Sequence, residues 1–137
     1  MLKRFSISLE DDLLEKFDNV IEEEGYDNRS EAIRDLIRDM LVHREWLEGE
    51  KETAGVVIIV YDHERHELSK KITEIQHHDY RCIVSTLHIH LDEHNCLEVI
   101  ILRGKAARIQ RLADSLITTR GVIHGRFVGT TTGKELS

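Results

Sequence analysis

The chain has 137 residues, 40% hydrophobic and 33% charged, the balance of an ordinary globular chain with room for one domain or two small ones. Its formal net charge of −7 argues against broad non-specific adsorption to nucleic acid, so any DNA contact must come from a local positive or hydrogen-bonding feature. No run is long enough to span a bilayer, no signal-peptide pattern opens the chain, and two cysteines make no disulfide framework, which together predict a cytoplasmic protein with no membrane partner.

Residues 2–9, LKRFSISL, alternate. Phe5, Ile7 and Leu9 point one way, and Arg4, Ser6 and Ser8 the other, so the segment reads as a strand with one apolar and one small polar face. The acidic run Glu10-Asp11-Asp12 suits a helix N-terminus, and Leu13, Leu14, Phe17, Val20 and Ile21 continue at helical spacing until Gly25. Asn28 or Ser30 caps a second helix, with Glu31 placed as in a capping box, and Ala32, Ile33, Leu36, Ile37, Met40 and Leu41 form its stripe. A lone strand leaves its ladder groups unpaired, and so small a segment buries too little surface to stand alone. A second copy resolves both: two N-terminal strands pair antiparallel over four helices. The ribbon so formed fits the major groove of B-DNA, presenting Arg4, Ser6 and Ser8 to base edges. The helix N-terminus near Asn28, Arg29 and Ser30 can hold a phosphate. The plain alternative is a solvated strand face.

Gly49 and Gly55 flank a charged linker, residues 49–55, which separates an N-terminal domain over 1–48 from a second domain over 56–130. In that domain Val56–Tyr61 reads as a buried-type strand and Glu64–Gln76 as a short helix. A hairpin follows, then a helix opening at Gly104 and a strand over Gly121–Val128; residues 131–137 read as a loose tail. The order βαββαβ predicts a ferredoxin-like arrangement, so the whole chain is of the α+β class. One sheet face is then left needing cover, which calls for oligomerisation.

Nine histidines are present, five of them between His77 and His94. From Cys82 to Leu91 the residues alternate, with Ile83, Leu87, Ile89 and Leu91 on one face and Thr86, His88 and His90 on the other. Asp92-Glu93-His94-Asn95 is turn chemistry. A hairpin folded about Glu93 sets Cys96 opposite His90, roughly 5 Å away at Cβ. Two imidazoles and a thiolate at that range suit a borderline or soft transition metal; the plain alternative is a surface hairpin with a half-buried thiol. Cys82, at a strand start, behaves as a small core residue. His77 and His78 close the preceding helix, and a fourth ligand could come from there or from another subunit.

The segments RFSISL, GYDNRSEAIRDLIR and QHH…TLHIHLDEHNCLE together resemble the nickel-responsive transcriptional regulators of bacteria and archaea, over roughly residues 3–128. The first half alone points only to the wider ribbon-helix-helix repressor class. The resemblance implies an intertwined ribbon-helix-helix DNA-binding dimer and an ACT-type ferredoxin-like domain, assembled as a homotetramer that is a dimer of dimers. It implies one square-planar Ni(II) per subunit, held by His88, His90 and Cys96 of one chain and His77 of its neighbour. It implies operator base contacts from Arg4, Ser6 and Ser8, although the family often carries threonines on the ribbon where this chain has serines. Glu31 and Asp35 match positions that hold a second cation, and Tyr61 and Glu98 match positions near the nickel. The expected function is repression of transcription on nickel binding, with no small-molecule substrate. A metalloenzyme or nickel carrier using the same site is the alternative. Three histidines and a thiolate, however, fill a planar centre and leave no open position for water. The donors do not select nickel by themselves, because Cu(II) binds such a set more tightly and Zn(II) accepts it with tetrahedral geometry.

Overall fold

The protein's structure, a computed structural model, describes residues 1–136 and divides into two compact units, Met1–Met40 and Leu41 onward. No helix among the described residues is long and apolar enough to cross a membrane.

In the N-terminal unit, residues 1–10 join no ladder, so the strand expected over residues 2–9 does not form in the single chain. The reason is hydrogen-bond accounting: the chain supplies no neighbouring strand to satisfy its N–H and C=O groups. The apolar side of the segment likewise has nothing to pack on, with Phe5 71% and Ile7 63% exposed. Helix α1, Asp11–Glu23, opens with two acids in its first turn, where the helix dipole favours them. It closes in a Schellman motif: Gly25 takes φ +86°, Tyr26 N donates to Ile21 O, and Gly25 N to Glu22 O. Helix α2, Arg29–Glu48, is capped by Asn28, whose Oδ1 accepts from Glu31 N at 2.9 Å. The reciprocal half of the expected capping box is missing, because the Glu31 carboxylate pairs with Arg34.

The second unit holds strand β1 (Glu52–Asp62), helix α3 (His66–His78), strands β2 (Ile83–His90) and β3 (Asn95–Lys105), helix α4 (Ala106–Ile117) and strand β4 (His124–Gly129). All neighbours are antiparallel, in the order β2-β3-β1-β4, which is the ferredoxin-like arrangement expected. One sheet face, carrying Val57, Ile59, Ile100 and Leu102, buries against Leu68 and Ile72 of α3 and Ile109, Leu112 and Leu116 of α4. The opposite face leaves Leu87, Ile89, Ile101 and Val128 exposed.

Several boundaries differ from expectation. Helix α2 continues to Glu48 and β1 starts at Glu52, so most of the expected linker is strand; Ala106 N to Lys51 O and Ala107 N to Gly49 O, both 3.0 Å, fasten what is left to α4. Helix α3 begins two residues late, because Asp62 Oδ1 draws Glu64 N into a turn at 2.9 Å. Gly104 belongs to β3, and α4 opens at Ala106; β4 starts at His124 rather than Gly121. Residues 131–136 of the tail are tied down rather than loose, and Ser137 lies outside the described residues. Thr131 Oγ1 donates to Glu45 at 3.2 Å, and Lys51 pairs with Glu135. Just before it, Trp46 Nε1 donates to Thr130 O at 3.0 Å, and Trp46 stacks edge-on to Phe127 at 5.4 Å.

Candidate metal centre

The β2–β3 turn is closed by its own side chain. Asp92 Oδ1 accepts from Asn95 N at 2.8 Å and His94 N at 2.9 Å, and these bonds, Asn95 first, hold the Asp92 carboxyl below the usual range. The closure fixes the register: His90 stands opposite Cys96 and His88 opposite Glu98, the pairing read from the alternation. The two imidazoles lie stacked, with centroids 5.3 Å apart and planes 25° apart.

One detail of that alternation is corrected. The ladder slips between Ile83 and Ser85, and this bulge takes Ile83 off the face of Leu87 and Ile89 and packs it against the core. His88 and His90 therefore share the helix-side face with Cys96 and Glu98, at the edge strand, where both imidazoles are exposed.

Beneath them Cys96 is fully buried. Its Sγ lies 3.4 Å from Tyr61 O, to which it donates. Burial pushes the thiol above its ordinary range, against the opposing pull of its hydrogen bonds with Tyr61. Glu98, also buried, accepts from Tyr61 Oη at 2.8 Å and from Gln76 Nε2 at 3.1 Å; Thr86 Oγ1 donates to Gln76 Oε1 at 2.9 Å. Burial, and then the Glu98 carboxylate, raise the Tyr61 phenol far above its ordinary value. A connected polar network thus runs from the floor of the site to the last turn of α3.

Of the polar residues in the last turn of α3, Gln76 reaches the sheet. His77 lies in an outward cleft with His66, Lys70, Thr73 and His78, so the chain does not bring His77 to its own His88, His90 and Cys96. Sequence reasoning missed His63, whose ring meets His90 edge-on at 4.6 Å and whose Nδ1 is buried without a partner. The signal was available: His63 stands two residues beyond Tyr61, in phase with the inward positions of β1. Among the described residues, the donor atoms that converge within 4.8 Å are those of Asp62, Glu64 and His94; those of His88, His90 and Cys96 share a face and a register without drawing so tight. A buried thiol under two accessible imidazoles, floored by a satisfied carboxylate, nonetheless fits a four-coordinate borderline metal completed by one outside donor.

The other expected sites divide. Arg4, Ser6 and Ser8 lie in the exposed N-terminal segment, and Ser30 is exposed at the start of α2. Asn28 is occupied as the cap. Arg29 makes a two-pronged pair with Asp18, at 2.8 and 2.7 Å, which holds the Asp18 carboxyl below its ordinary range; a phosphate at this helix end would be left to the backbone N–H groups. Asp35 accepts from Tyr26 Oη at 2.8 Å and Arg38 at 3.2 Å, while Glu31 pairs with Arg34; the two carboxylates expected to share a cation have separate partners.

Known proteins resemble this chain in both halves. Residues 54–130 match the family described as NikR C terminal nickel binding domain, and residues 3–42 match ribbon-helix-helix protein, copG family. Proteins named as nickel-responsive regulators from Thermococcus onnurineus and Geobacter metallireducens are 56% and 57% identical to it over 135 and 133 residues. These alignments cover 98% of both the chain and the Thermococcus protein, and 97% of the chain and 96% of the Geobacter protein. An uncharacterized protein from Thermotoga maritima has a solved structure with a TM-score of 0.53 at 17% identity, covering 59% of this chain and 100% of its own, which bears on the fold alone.

Proposed function

The chain belongs to the nickel-responsive regulator family, and from that premise we propose which of its residues bind nickel and operator DNA. It is a nickel-responsive, DNA-binding transcriptional regulator and not an enzyme. The Ni(II) ligands are His88, His90 and Cys96 of one chain and His77 of a neighbour. The cross-strand pairing of His90 with Cys96 carries this reading. Ni(II) bound there would supply a tie between two chains.

The chain's own groups do the rest. Cys96 gives up its proton and its hydrogen bond to Tyr61 O. Glu98 fixes Tyr61 below the thiol and, through Gln76, pins the last turn of α3, which carries His77. The assembly is a homotetramer, a dimer of dimers built on ACT-type domains. The exposed sheet face of Leu87, Ile89 and Ile101 supports one contact, and the unpaired N-terminal segments support the other. Arg4, Ser6 and Ser8 read bases from the paired ribbon; the amide ends of α2 near Asn28, Arg29 and Ser30 meet phosphates. Glu31 and Asp35 hold a second cation on exchanging their present partners. The protein works as a repressor in the cytoplasm.

The test is a Ni(II) titration read by absorption and by gel shift on the full-length protein. Wild type is expected to give thiolate charge-transfer and planar d–d bands together with nickel-dependent operator binding. Cys96→Ala loses both, and Arg4→Ala loses operator binding while keeping the bands. Nickel-dependent operator binding by Cys96→Ala would overturn the assignment.

A further inference from the structure

We propose that Asp62, Glu64 and His94 form a second site for a borderline divalent cation such as Zn(II), Co(II) or Ni(II), weaker than and separate from the Cys96 site. Their donor atoms lie within 4.8 Å of one another. They come from separate segments, Asp62 from the end of β1, Glu64 from the connection between β1 and α3, and His94 from the β2–β3 turn.

The two turns are held together without any ion. His63 N donates to His94 O at 3.0 Å, Asp62 Oδ1 accepts from Glu64 N at 2.9 Å, and Asp92 clamps His94 N. Glu64 Oε2 and His94 Nδ1 are 2.9 Å apart. The donors are therefore gathered before binding, which lowers the ordering cost an ion must meet.

Chemistry selects the class. Two carboxylates and an imidazole form a mixed oxygen and nitrogen set, the donor type of Zn(II) and its neighbours rather than of Ca(II) or Mg(II), which favour all-oxygen shells. Three protein donors leave the remaining positions to water. Glu64 and His94 are about half exposed, so binding gains little from desolvation, and without a thiolate the site ranks below Cys96. Both carboxylates lie within four residues of the first residue of α3, so an ion here braces the start of the helix whose last turn carries His77. That consequence rests on the role proposed for His77; the site itself does not.

The experiment is a Co(II) titration of the full-length protein, followed by absorption and equilibrium dialysis. The expected result is two classes of bound ion per chain in a Glu31→Gln/Asp35→Asn background, which removes the cation proposed there. The tighter shows a thiolate-to-cobalt band; the looser, about tenfold or more weaker, shows only weak d–d absorption. Glu64→Gln and His94→Asn each weaken the looser class by about tenfold or more and leave the thiolate band unchanged. Cys96→Ser abolishes the band and keeps the looser class. The proposal is overturned if both Glu64→Gln and His94→Asn bind as their parent does, if the only ion bound is the one that gives the thiolate band, or if His66→Ala or His78→Ala removes the looser class instead. A wild-type titration with no thiolate band but a Glu64-sensitive ion supports this site and refutes the Cys96 assignment.

Discussion

Replacing Glu98 tests the network beneath the metal centre. Glu98→Ala removes the acceptor of two hydrogen bonds, from Tyr61 Oη at 2.8 Å and Gln76 Nε2 at 3.1 Å. Tyr61 is only 3% exposed, so its phenol cannot turn to water, and an orphaned buried donor costs about 1–3 kcal/mol. Gln76 is half-buried and recovers part of its loss from solvent, leaving roughly 1 kcal/mol or less. Release of a buried carboxylate offsets some of this, so the net loss is about 1–3 kcal/mol. Glu98→Gln keeps the shape and an acceptor for Tyr61, and Gln76 can rotate its amide to match; it costs less than half as much. Urea unfolding at one fixed protein concentration measures both. With a slope of roughly 2 kcal/mol/M, the alanine variant should shift the midpoint by about 0.5–1.5 M at unchanged slope. Because the network also pins α3 beside His77, its nickel affinity should fall about 10–100-fold. A glutamine variant as damaged as the alanine one would refute the satisfaction argument, as would an alanine variant with wild-type stability.

Four further outcomes are expected. Gly129→Ala places a methyl 2.6 Å from the Trp46 ring; it should cost about 1–3 kcal/mol and change the fluorescence of the single tryptophan, and unaltered emission would count against the packing described. Asn28→Ala removes the cap on Glu31 N and should cost about 1 kcal/mol by thermal unfolding. The hydrogen bond with Glu64, and then its charge, raise the His94 pKa, so this pair stabilises the fold fully below the unfolded-state pKa and loses that effect as pH climbs through the folded one. An NMR titration should accordingly find His94 titrating higher in wild type than in Glu64→Gln. Because burial keeps Cys96 protonated, nickel uptake near neutral pH should release about one proton per site from that thiol, measurable in weakly buffered solution and missing in Cys96→Ala.

The strand alternation carried most of the site. Period-two spacing and a polar turn were enough to pair His90 with Cys96, because a one-residue slip would set them on opposite faces of the sheet. The same rule failed at Ile83, where a bulge adds a residue that no periodicity announces. The linker was overdrawn: residues 49–55 read as a charged linker, yet β1 takes in Glu52 and Thr53 because Lys105 and Gly104 of β3 stand opposite them. The tail misled for a similar reason, since Glu45 and Lys51 hold it across a sequence separation no local pattern reveals. His63 escaped notice because its partner, His90, is met only in three dimensions. The N-terminal ribbon is legible as a pattern and unformed in the single chain, because half of its hydrogen bonds belong to another copy.

Subunit mixing tests the shared-ligand claim most directly. His77→Ala and Cys96→Ala proteins should each lack the thiolate–nickel band. Mixed and allowed to exchange subunits, they should regain about a quarter of the wild-type absorbance, because each hybrid two-fold interface rebuilds one of its two sites. A mixture that stays spectrally silent while hybrids demonstrably form, or a His77→Ala protein that keeps the full band alone, would contradict a metal centre shared between chains.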